Sequence, residues 1–484
     1  MSERKLSIDP ITRLEGHGKI EIFLDGEGRP EDAVLQVPEL RGFEEFSRGR
    51  KGEDMPRITE RICGVCPEAH HFASTKALDA AYSTVPPETA LRLRELLYNS
   101  YIFADHLLHL FYLGGPDYLA EDEKSKRNIV GVIEALGEKL GKKLIGTRRR
   151  AHEAIEIIGG HQVHPVTGIP GGLSKGITEE DREELADIGN AVLEFAREAL
   201  DLFHEKVLDG EKFGSLVDNE DFSLDTYYMG LVDETERVSF YDGKLKVVDP
   251  EGGEFIKTDT ANALDLLEER VKTWTYVKFP YLKKVGWEEF QTGSSSGVFR
   301  VGPLARLNVA DGMKTDLAQE EYEKYVRYFG GKPVHRTYAY HWARLIELIQ
   351  AAERIHELSG NQDLTGDELR SPVNEPGEGV GVIEAARGTL IHGYKLNEEG
   401  LVDDANMIVP TTSNSAALSI SIRKAAEGAI DGETPDEKIL NQVEMGFRPY
   451  DPCLACATHS VNGGLDIGLS IYNEHGEIIR EINR

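Results

Sequence analysis

The sequence predicts an α+β fold, mainly α, in which a large helical body surrounds a buried site and small β-sheets lie at the periphery. Long stretches repeat apolar residues at helical spacing, and shorter stretches alternate apolar and polar residues as strands do. Two Cys-x-x-Cys pairs lie near opposite ends of the 484 residues. They can meet only if the chain folds as one unit, so we predict a single body rather than independent domains.

The N-terminal part, residues 1–58, is predicted to be β-rich. Residues 19–24 and 33–37 alternate in polarity and are separated by turn-forming residues, which indicates a hairpin. From there on the pattern becomes helical, and we predict that residues 59–459 form the mainly helical part of the same unit.

Three long helices are predicted along the helical part. They begin after Pro86-Pro87, after the capping box Thr178-x-x-Asp181, and at the start of a periodic segment over about residues 338–358. Residues 227–255 are instead typical of short strands, because they contain two glycine turns and no helical period.

The composition indicates a globular protein with an acidic surface. Hydrophobic residues make up 40%, charged residues make up 29%, and the formal net charge is -30. This excess of acidic groups argues against general nucleic-acid binding, because phosphate contacts require clusters of Lys and Arg. No apolar run approaches the roughly 20 residues of a membrane helix, and residues 1–7 contain no apolar signal region. We therefore predict a cytoplasmic protein without a membrane span.

All four cysteines belong to the two pairs, Cys63 with Cys66 and Cys453 with Cys456. A Cys-x-x-Cys loop places both sulfurs on one side of a turn, so two loops that meet provide four thiolate ligands. Thiolate ligands suit zinc, iron–sulfur clusters and nickel alike. Three interpretations are therefore open: a catalytic or redox metal site, a structural zinc site, and a dithiol redox pair.

Residues beside the two pairs favour a catalytic or redox metal. His70 and His71 follow the first pair. Asp451 precedes the second pair and His459 follows it. A structural zinc site needs none of these groups, although we assign His71 itself a structural role. If one site uses all four thiolates, no cysteine is left for an iron–sulfur relay, so redox chemistry would require a partner protein to carry the electrons.

At these residues the sequence resembles the large, catalytic subunit of nickel–iron hydrogenases. The motifs are R-x-C-G-x-C-x-x-x-H at residues 61–70 and D-P-C-x-x-C-x-x-H at residues 451–459, and the resemblance covers essentially the whole chain. The short second motif, the chain length and Pro116-Asp117 resemble the soluble, cytoplasmic, multisubunit branch. The resemblance implies reversible heterolytic cleavage of dihydrogen, with electrons passed to an iron–sulfur small subunit, then to further electron-transfer subunits. It also implies nickel-insertion factors and a maturation endopeptidase as partners.

The resemblance implies the ligands of the metals. All four cysteines would bind nickel, with Cys63 and Cys453 terminal. Cys66 and Cys456 would also bridge to an iron that carries carbonyl and cyanide ligands. His70 corresponds to a histidine that donates a hydrogen bond to a bridging sulfur.

The resemblance also implies a proton relay and a second ion near the centre. Glu15, in R-L-E-G-H, matches a glutamate that passes protons between a nickel-bound cysteine and the exterior. A carboxyl group suits this step because heterolysis releases a proton. Glu44 matches a glutamate that binds magnesium or iron beside the C-terminal histidine, here His459. The neighbouring Glu45 is the alternative for this role.

Arg387, in E-A-A-R-G, resembles an arginine that lies over the metals, where a fixed cation can polarise dihydrogen. The family has proline where this chain has Ala386, so the packing around the iron's diatomic ligands is expected to differ. Asp105 and Asp451 match the carboxylates that hold this arginine. Because Asp105 also lies in a helical pattern, a solvated or capping role is the alternative for it.

The sequence continues past His459 as residues 460–484. Mature large subunits of the family end at the corresponding histidine, so the resemblance implies that an endopeptidase removes this extension. Cleavage would free the carboxylate of His459 and let the new end close the site. Residues 465–472 alternate in polarity, so the alternative is a permanent C-terminal strand.

Other functions compete with catalysis at this stage. A regulatory hydrogen-sensing large subunit with little turnover would keep the cysteine pairs, and so would a structural four-cysteine metal protein. A quinone-site subunit of a respiratory complex is disfavoured, because relatives of that kind lack the pairs.

Overall fold

Helices, in which apolar residues recur at helical spacing, are the commonest regular structure of the chain, and the computed structural model describes residues 4–120, 123–432, 436–459, 468–472 and 478–483. Within these ranges helices form the body and the strands form small sheets. This confirms the predicted α+β, mainly α class. No helix in these ranges combines the length and the hydropathy that a membrane span requires.

The α-helices of the described residues, α1 to α15 in chain order, are Phe43–Ser47, Met55–Thr59, Pro67–Ala81, Glu88–Leu108, Ile129–Leu136, Glu138–Gly159, Glu179–Phe203, Glu211–Val217, Pro303–Val309, Asp316–Tyr328, Ala339–Ser359, Pro410–Ser413, Ser415–Ala429, Glu437–Met445 and Leu454–Ala457. The strands, β1 to β16, are Arg4–Ile8, Lys19–Leu24, Pro30–Gln36, Gly168–Ile169, Gly172–Leu173, Tyr227–Val232, Lys244–Val248, Glu254–Thr258, Leu267–Arg270, Phe279–Leu282, Phe299–Arg300, Glu378–Ala385, Gly388–Leu396, Val402–Ile408, Gly468–Tyr472 and Ile478–Asn483.

β2 is the central strand of the N-terminal sheet, with β1 and β3 antiparallel on either side. Ile20 and Ile22 of β2 are fully buried and lie opposite Leu35 and Ala33 of β3. This is the alternation on which the predicted hairpin rests, so the hairpin is confirmed. β1 is an additional strand, and its five residues are too few for a clear alternation in the sequence.

The three predicted long helices are α4, α7 and α11, and α11 packs against both of the others. The predicted capping box begins α7. The hydroxyl of Thr178 accepts a hydrogen bond from the amide of Asp181 at 3.1 Å, and the carboxylate of Asp181 accepts one from the amide of Thr178 at 2.8 Å. These bonds satisfy amides that the first turn of the helix leaves unpaired.

α4 continues past its last residue as a five-residue π-helix, His109–Leu113, which ends at Gly114. Such turns are rare and occur frequently at functional sites. His109, the first residue of this turn, is fully buried. It follows the predicted site residue Asp105 of α4 by one helical turn.

The middle of the chain forms a four-stranded sheet in the order β11-β6-β7-β8. β6, β7 and β8 are antiparallel neighbours, which confirms the prediction of short strands over residues 227–255. β11 joins the open edge of β6 in parallel orientation.

The antiparallel sheet β12-β13-β14 is not predicted by the sequence analysis. It packs against α3, and β12 and β13 are buried over most of their length. These two strands therefore lie inside the helical body rather than at its periphery. A strand that is buried on both faces lacks the alternation by which strands are detected. The two-residue turn between β12 and β13 carries Arg387.

Gly381 lets β12 approach α3 closely. A Cβ atom at this position would lie 2.2 Å from the carbonyl oxygen of Ala73 and 2.4 Å from the amide nitrogen of Ala77. Because both are helix backbone atoms, we expect Gly381→Ala to destabilise the protein by about 1–3 kcal/mol. Thermal unfolding followed by circular dichroism measures the effect. The control is Gly146→Ala on α6, where the added methyl group meets no atom within 4 Å. Equal shifts for the two variants would contradict this explanation.

One hydrophobic core connects the two ends of the chain. It contains Ile8 of β1, Leu96 of α4 and Ala457 of α15. The two ends are therefore close in space, although the proposed boundary at residue 59 stays a prediction.

The predicted C-terminal extension is described only in part. Residues 460–467, 473–477 and 484 lie outside the described residues. β15 and β16 pair with each other as an antiparallel hairpin. The predicted removal of residues 460–484 stays a prediction.

Candidate metal centre

The two cysteine pairs lie at the starts of two helices. Cys63 and Cys66 immediately precede α3, whose first residue is Pro67. Proline suits this position because the first helical amide needs no partner within the helix. Cys453 precedes α15, and Cys456 lies within it.

The structure brings the four sulfur atoms together. Sγ of Cys63 lies 3.4 Å from Sγ of Cys453. Sγ of Cys66 lies 3.6 Å from Sγ of Cys456. All four side chains are buried, and all four sulfurs lie within 4.8 Å of one another. Metal–sulfur bonds of about 2.3 Å allow these separations. In the described part of the chain, no other group of three or more His, Cys, Asp or Glu side chains has this spacing.

Cys63 is the cysteine best placed to be a thiolate. Its Sγ accepts hydrogen bonds from two backbone amides of its own loop, at 3.1 and 3.3 Å. Burial opposes ionisation, but hydrogen bonds from the other thiols and the charge of Arg387 lower the pKa of Cys63 well below its ordinary value. Burial raises the pKa of Cys453, and it raises the pKa of Cys456 to about 11. A metal ion that binds here would therefore displace protons from these thiols.

Glu15 joins the N-terminal part to the second cysteine pair. Its amide donates to the carbonyl of Pro452 at 3.4 Å, and its carbonyl accepts from the amide of Leu454 at 2.8 Å. Its Oε2 accepts from Sγ of Cys453 at 2.9 Å and from the amide of Ala455 at 3.2 Å. Burial, with repulsion from the thiolate of the first pair, raises the pKa of Glu15. Glu15 is thus a half-buried carboxyl group in contact with a predicted metal ligand.

Arg387 is buried beside the cysteines and holds two carboxylates. Nη1 donates to Oδ2 of Asp105 at 2.9 Å, and Nη2 lies 3.1 Å from Oδ2 of Asp451. Burial tends to lower the pKa of Arg387, but the two carboxylates outweigh this effect and raise it. Burial raises the pKa of both aspartates against the attraction of the guanidinium. The structure therefore brings these three predicted residues together.

The turn that carries Arg387 depends on its neighbours. Gly388 has φ 135°, and a Cβ there would lie 2.4 Å from the side chain of Val301. Ala386, where the family has proline, is fully buried, and its amide donates to the hydroxyl of Tyr101 at 3.3 Å. A proline would lack this donor, so the departure from the family pattern coincides with a hydrogen bond that proline cannot make.

Arg306 supports the same turn. It donates to Glu347 of α11 at 2.6 Å, and to Glu384 of β12 at 2.7 Å. It also donates to the carbonyl oxygen of Ala385 at 2.9 Å. His106 of α4 lies 2.9 Å from Glu347. This buried network joins three helices and a strand, and its members are too far apart in the chain for sequence analysis to group them.

Glu44 and His459 lie side by side and are both buried. Oε1 of Glu44 is 3.7 Å from Nε2 of His459 and accepts from the amide of Met407 at 2.8 Å. Nε2 of His459 is 2.5 Å from the carbonyl oxygen of Met407. Glu45 is exposed and pairs with Arg48 instead. Glu44 is therefore the glutamate that faces the histidine.

His70 and His71 are buried on α3 with other partners. Nδ1 of His70 lies 3.2 Å from Nε2 of His392, and burial lowers the pKa of His70 to about 4. Among the described residues His70 makes no hydrogen bond to a cysteine sulfur, so the predicted donation stays a prediction. Nε2 of His71 accepts from the amide of Gly168 at 3.0 Å, a contact that fits a structural role.

Three residues that the sequence analysis does not single out bond to, or lie close to, groups around the four sulfurs. The hydroxyl oxygen of Thr411 accepts a hydrogen bond from the amide of Cys453 at 3.0 Å. Arg41 donates to carbonyl oxygens beside both pairs, at 2.5 and 2.9 Å. Nδ1 of His109 lies 3.1 Å from Oδ1 of Asp451. Only His109 has a sequence signal, since it follows Asp105 by four residues in a helical pattern.

The fold and the four-cysteine centre define the class of protein: this chain belongs to the nickel-dependent hydrogenase family, as a large, catalytic subunit. A model described as nickel-dependent hydrogenase matches residues 41–130 and 211–459. A second model, described as HoxL-like, matches residues 5–40.

Relatives within the family match along nearly the whole chain. An iron-sulfur subunit of the F420-non-reducing hydrogenase of Archaeoglobus profundus is 43% identical over 483 residues, which covers 99% of each chain. The NAD-reducing hydrogenase HoxS subunit beta of Cupriavidus necator is 36% identical over 498 residues, again covering 99% of each chain.

Solved structures have the same fold. An NAD+-reducing NiFe-hydrogenase in the H2-reduced state matches with a TM-score of 0.89 and 37% identity, covering 94% of this chain and 99% of that one. A NiFeSe-hydrogenase of Desulfomicrobium baculatum matches with a TM-score of 0.75 and 24% identity, covering 95% and 100%, and this likeness supports the fold alone.

Proposed function

We propose that this hydrogenase subunit cleaves dihydrogen reversibly and heterolytically and passes the electrons to an iron–sulfur partner subunit. One observation carries the proposal. Four buried cysteine sulfurs converge between a carboxyl group, Glu15, that contacts one of them and a buried guanidinium, Arg387, whose charge acts on another. This arrangement would supply the proton acceptor and the fixed cation that heterolytic cleavage at a metal site requires.

The four cysteines fit a nickel–iron centre. All four cysteines would hold the centre, and the resemblance to the family assigns Cys66 and Cys456, whose sulfurs lie 3.6 Å apart, to both of its metals. We assign the first metal as nickel and the second as iron, with carbonyl and cyanide completing the iron's ligands. Bound there, the centre would supply the polarisation and the electron acceptance that cleavage of dihydrogen needs.

Glu15 receives the proton. Sγ of Cys453 points its hydrogen-bond donor at Oε2 of Glu15 over 2.9 Å, so transfer from sulfur to carboxylate needs no rearrangement. The side chain is half-buried, so one end of the relay meets the sulfur and the other lies close to the surface.

Arg387 provides a charge that does not move. Asp105 and Asp451 hold its guanidinium from two sides, so its orientation is set before dihydrogen arrives. A preorganised cation costs no reorganisation during the reaction, which is why such groups contribute strongly to catalysis.

The electrons leave through another chain. All four cysteines of this chain lie at one site, so an iron–sulfur relay must use cysteines of a partner. The subunit names of the relatives fit a multisubunit enzyme of this kind.

A second ion fits beside His459. Oε1 of Glu44, the carbonyl oxygen of Met407 and Nε2 of His459 converge within a few ångströms. The two oxygens suit magnesium, and the imidazole suits iron as well.

We also propose that residues 460–484 are removed after His459 during maturation, which mass spectrometry of the active enzyme tests.

Metal analysis of the purified, matured complex tests the proposed centre. We expect one nickel per large subunit, infrared bands from metal-bound carbonyl and cyanide, and continuous turnover with dihydrogen and an electron acceptor. Stoichiometric zinc without nickel would contradict the proposed centre. Nickel with those bands but negligible turnover would favour the regulatory sensor instead.

A further inference from the structure

Tyr101 of α4 contacts the turn that carries Arg387. It lies one helical turn before Asp105, so the two side chains project from the same face of α4. The hydroxyl oxygen of Tyr101 accepts a hydrogen bond from the amide of Ala386 at 3.3 Å, and Asp105 accepts one from Arg387 at 2.9 Å. This face of α4 therefore holds two successive residues of the turn. Tyr101 has no role in the function proposed above.

Residue 386 is the position at which this chain departs from the family. A proline there would fix φ through its ring, whereas Ala386 leaves φ free to rotate. Ala386 lies between β12 and β13, and the last pair of the ladder is Ala385 with Gly388, so its amide takes no part in the strand pairing. The hydroxyl of Tyr101 provides the partner that the strands do not.

Burial makes this hydrogen bond matter. Ala386 is fully enclosed, and Tyr101 is 2% exposed. The ring of Tyr101 also packs against Tyr98, with centroids 5.3 Å apart, so its hydroxyl has little freedom to move. A buried amide that loses its partner costs free energy, because no water replaces the lost bond. The bond therefore favours one orientation of the peptide that precedes Arg387.

We propose that Tyr101 is a positioning residue for Arg387, and that its hydrogen bond to Ala386 takes the place of the proline ring in fixing this turn. The bond holds the backbone from which the arginine side chain begins. Asp105 and Asp451 hold the guanidinium at its other end. Without the bond, the peptide of Ala386 rotates and the guanidinium shifts relative to the cysteines. The inference rests on the proposed function, because Tyr101 acts on the reaction only through Arg387.

The charges around the turn make such a shift measurable. Burial raises the pKa of Tyr101 well above its ordinary value, and the negative charges of Asp105 and Cys66 raise it further. The charge of Arg387 in turn acts on Cys63. A displaced guanidinium would therefore change the electric field at metals held by these cysteines. The stretching frequencies of carbonyl and cyanide bound to a metal respond to that field.

A double-mutant cycle on turnover tests the proposal. Tyr101→Phe removes the acceptor and keeps the ring, so we expect about three- to tenfold lower turnover, unchanged nickel content and shifted infrared bands. Ala386→Pro removes the amide but restores the restraint of the family, so we expect turnover close to that of the wild type. Tyr101→Phe should then have no further effect in the Ala386→Pro background, because the bond that it breaks is already absent.

Tyr98→Phe is the matched control. Tyr98 is a buried tyrosine of the same helix, and its hydroxyl donates to the carbonyl oxygen of Glu384 at 2.9 Å, a bond that Ala386→Pro does not remove. Tyr98→Phe should therefore change turnover by the same factor in both backgrounds. Wild-type turnover with unshifted bands in Tyr101→Phe would overturn the proposal, and so would an equal effect of Tyr101→Phe in the two backgrounds.

Crystal structures of the wild-type complex and of Tyr101→Phe decide the question if Ala386→Pro does not fold. We expect the guanidinium of Arg387 to be displaced in the variant, and an unmoved guanidinium would overturn the positioning role while leaving the hydrogenase proposal intact. Absence of nickel or of turnover in the unaltered complex would instead overturn the proposed function. The two structures would still show whether Tyr101 positions Arg387.

Discussion

Glu15→Gln is expected to lower dihydrogen oxidation by about 100-fold or more while nickel content stays unchanged. The amide of glutamine keeps the size of the side chain and can still accept from the amide of Ala455, which lies 3.2 Å from Oε2. It cannot take up the proton that Sγ of Cys453 presents at 2.9 Å. Turnover is measured with a soluble electron acceptor in excess, so that the proton step limits the rate.

Two further variants sharpen this prediction. Glu15→Asp keeps the acid but withdraws it by one methylene group, so we expect activity between those of the wild type and Glu15→Gln. Glu21→Gln is the matched control, because Glu21 is a buried glutamate of β2 whose carboxylate pairs with Lys5 at 2.7 Å and, among the described residues, makes no hydrogen bond to a cysteine. If Glu15→Gln kept turnover close to that of Glu21→Gln, Glu15 would have no part in the relay.

The parts of the site that the sequence makes predictable are those in contiguous motifs. Cys63 and Cys66 indicate a ligand pair because their spacing turns both sulfurs to one side of a loop. Cys453 and Cys456 indicate a second ligand pair in the same way. Because the chain has no other cysteine, a four-sulfur site requires that the two pairs meet. The contact of Glu15 with the second pair cannot be predicted in this way. Its hydrogen bonds join residues that are more than 400 positions apart in the chain, and no local sequence pattern indicates them.

The fold shows the same division between local and distant information. α4, α7 and α11 are predictable because each has an apolar face, and the capping box before α7 is a local signal. Strands β12 and β13 are missed because they are buried over most of their length, and β12 has glycines where it meets α3. The turn between β12 and β13 carries Arg387, so the position of this proposed cation depends on the part of the fold with the weakest sequence signal.

The contacts that support Arg387 and Asp451 from neighbouring elements also cannot be predicted from the sequence. Arg306 supports the Arg387 turn through Glu347 and Glu384, residues from two other elements. The four-residue spacing places His109 on the same side of a helix as Asp105, but its contact with Asp451, made from a π-helical turn, follows only from the fold. Such contacts follow from the packing of distant elements, and the resemblance to a family can supply them only where the family motif includes the residue.

Arg387→Met is expected to abolish turnover and to destabilise the protein, because it leaves two buried carboxylates without their cation. Asp105 and Asp451 lie 2.9 and 3.1 Å from the guanidinium and are almost completely enclosed. Removing one member of a buried ion pair costs about 3–5 kcal/mol. Arg387→Lys keeps the charge but cannot span both carboxylates, so we expect a folded protein with strongly reduced turnover.

The stability loss and the catalytic loss can be separated by a control and a compensating change. Arg94→Met breaks another buried ion pair of α4, in which Nη1 lies 2.6 Å from Asp79, so it should cost similar stability without the same loss of turnover per nickel. Arg387→Met combined with Asp105→Asn removes one of the stranded charges and should recover part of the stability. If the double variant also recovered turnover, the guanidinium would be a structural counter-ion and not the polarising cation. A folded, nickel-loaded double variant without turnover is what a direct catalytic role of Arg387 requires.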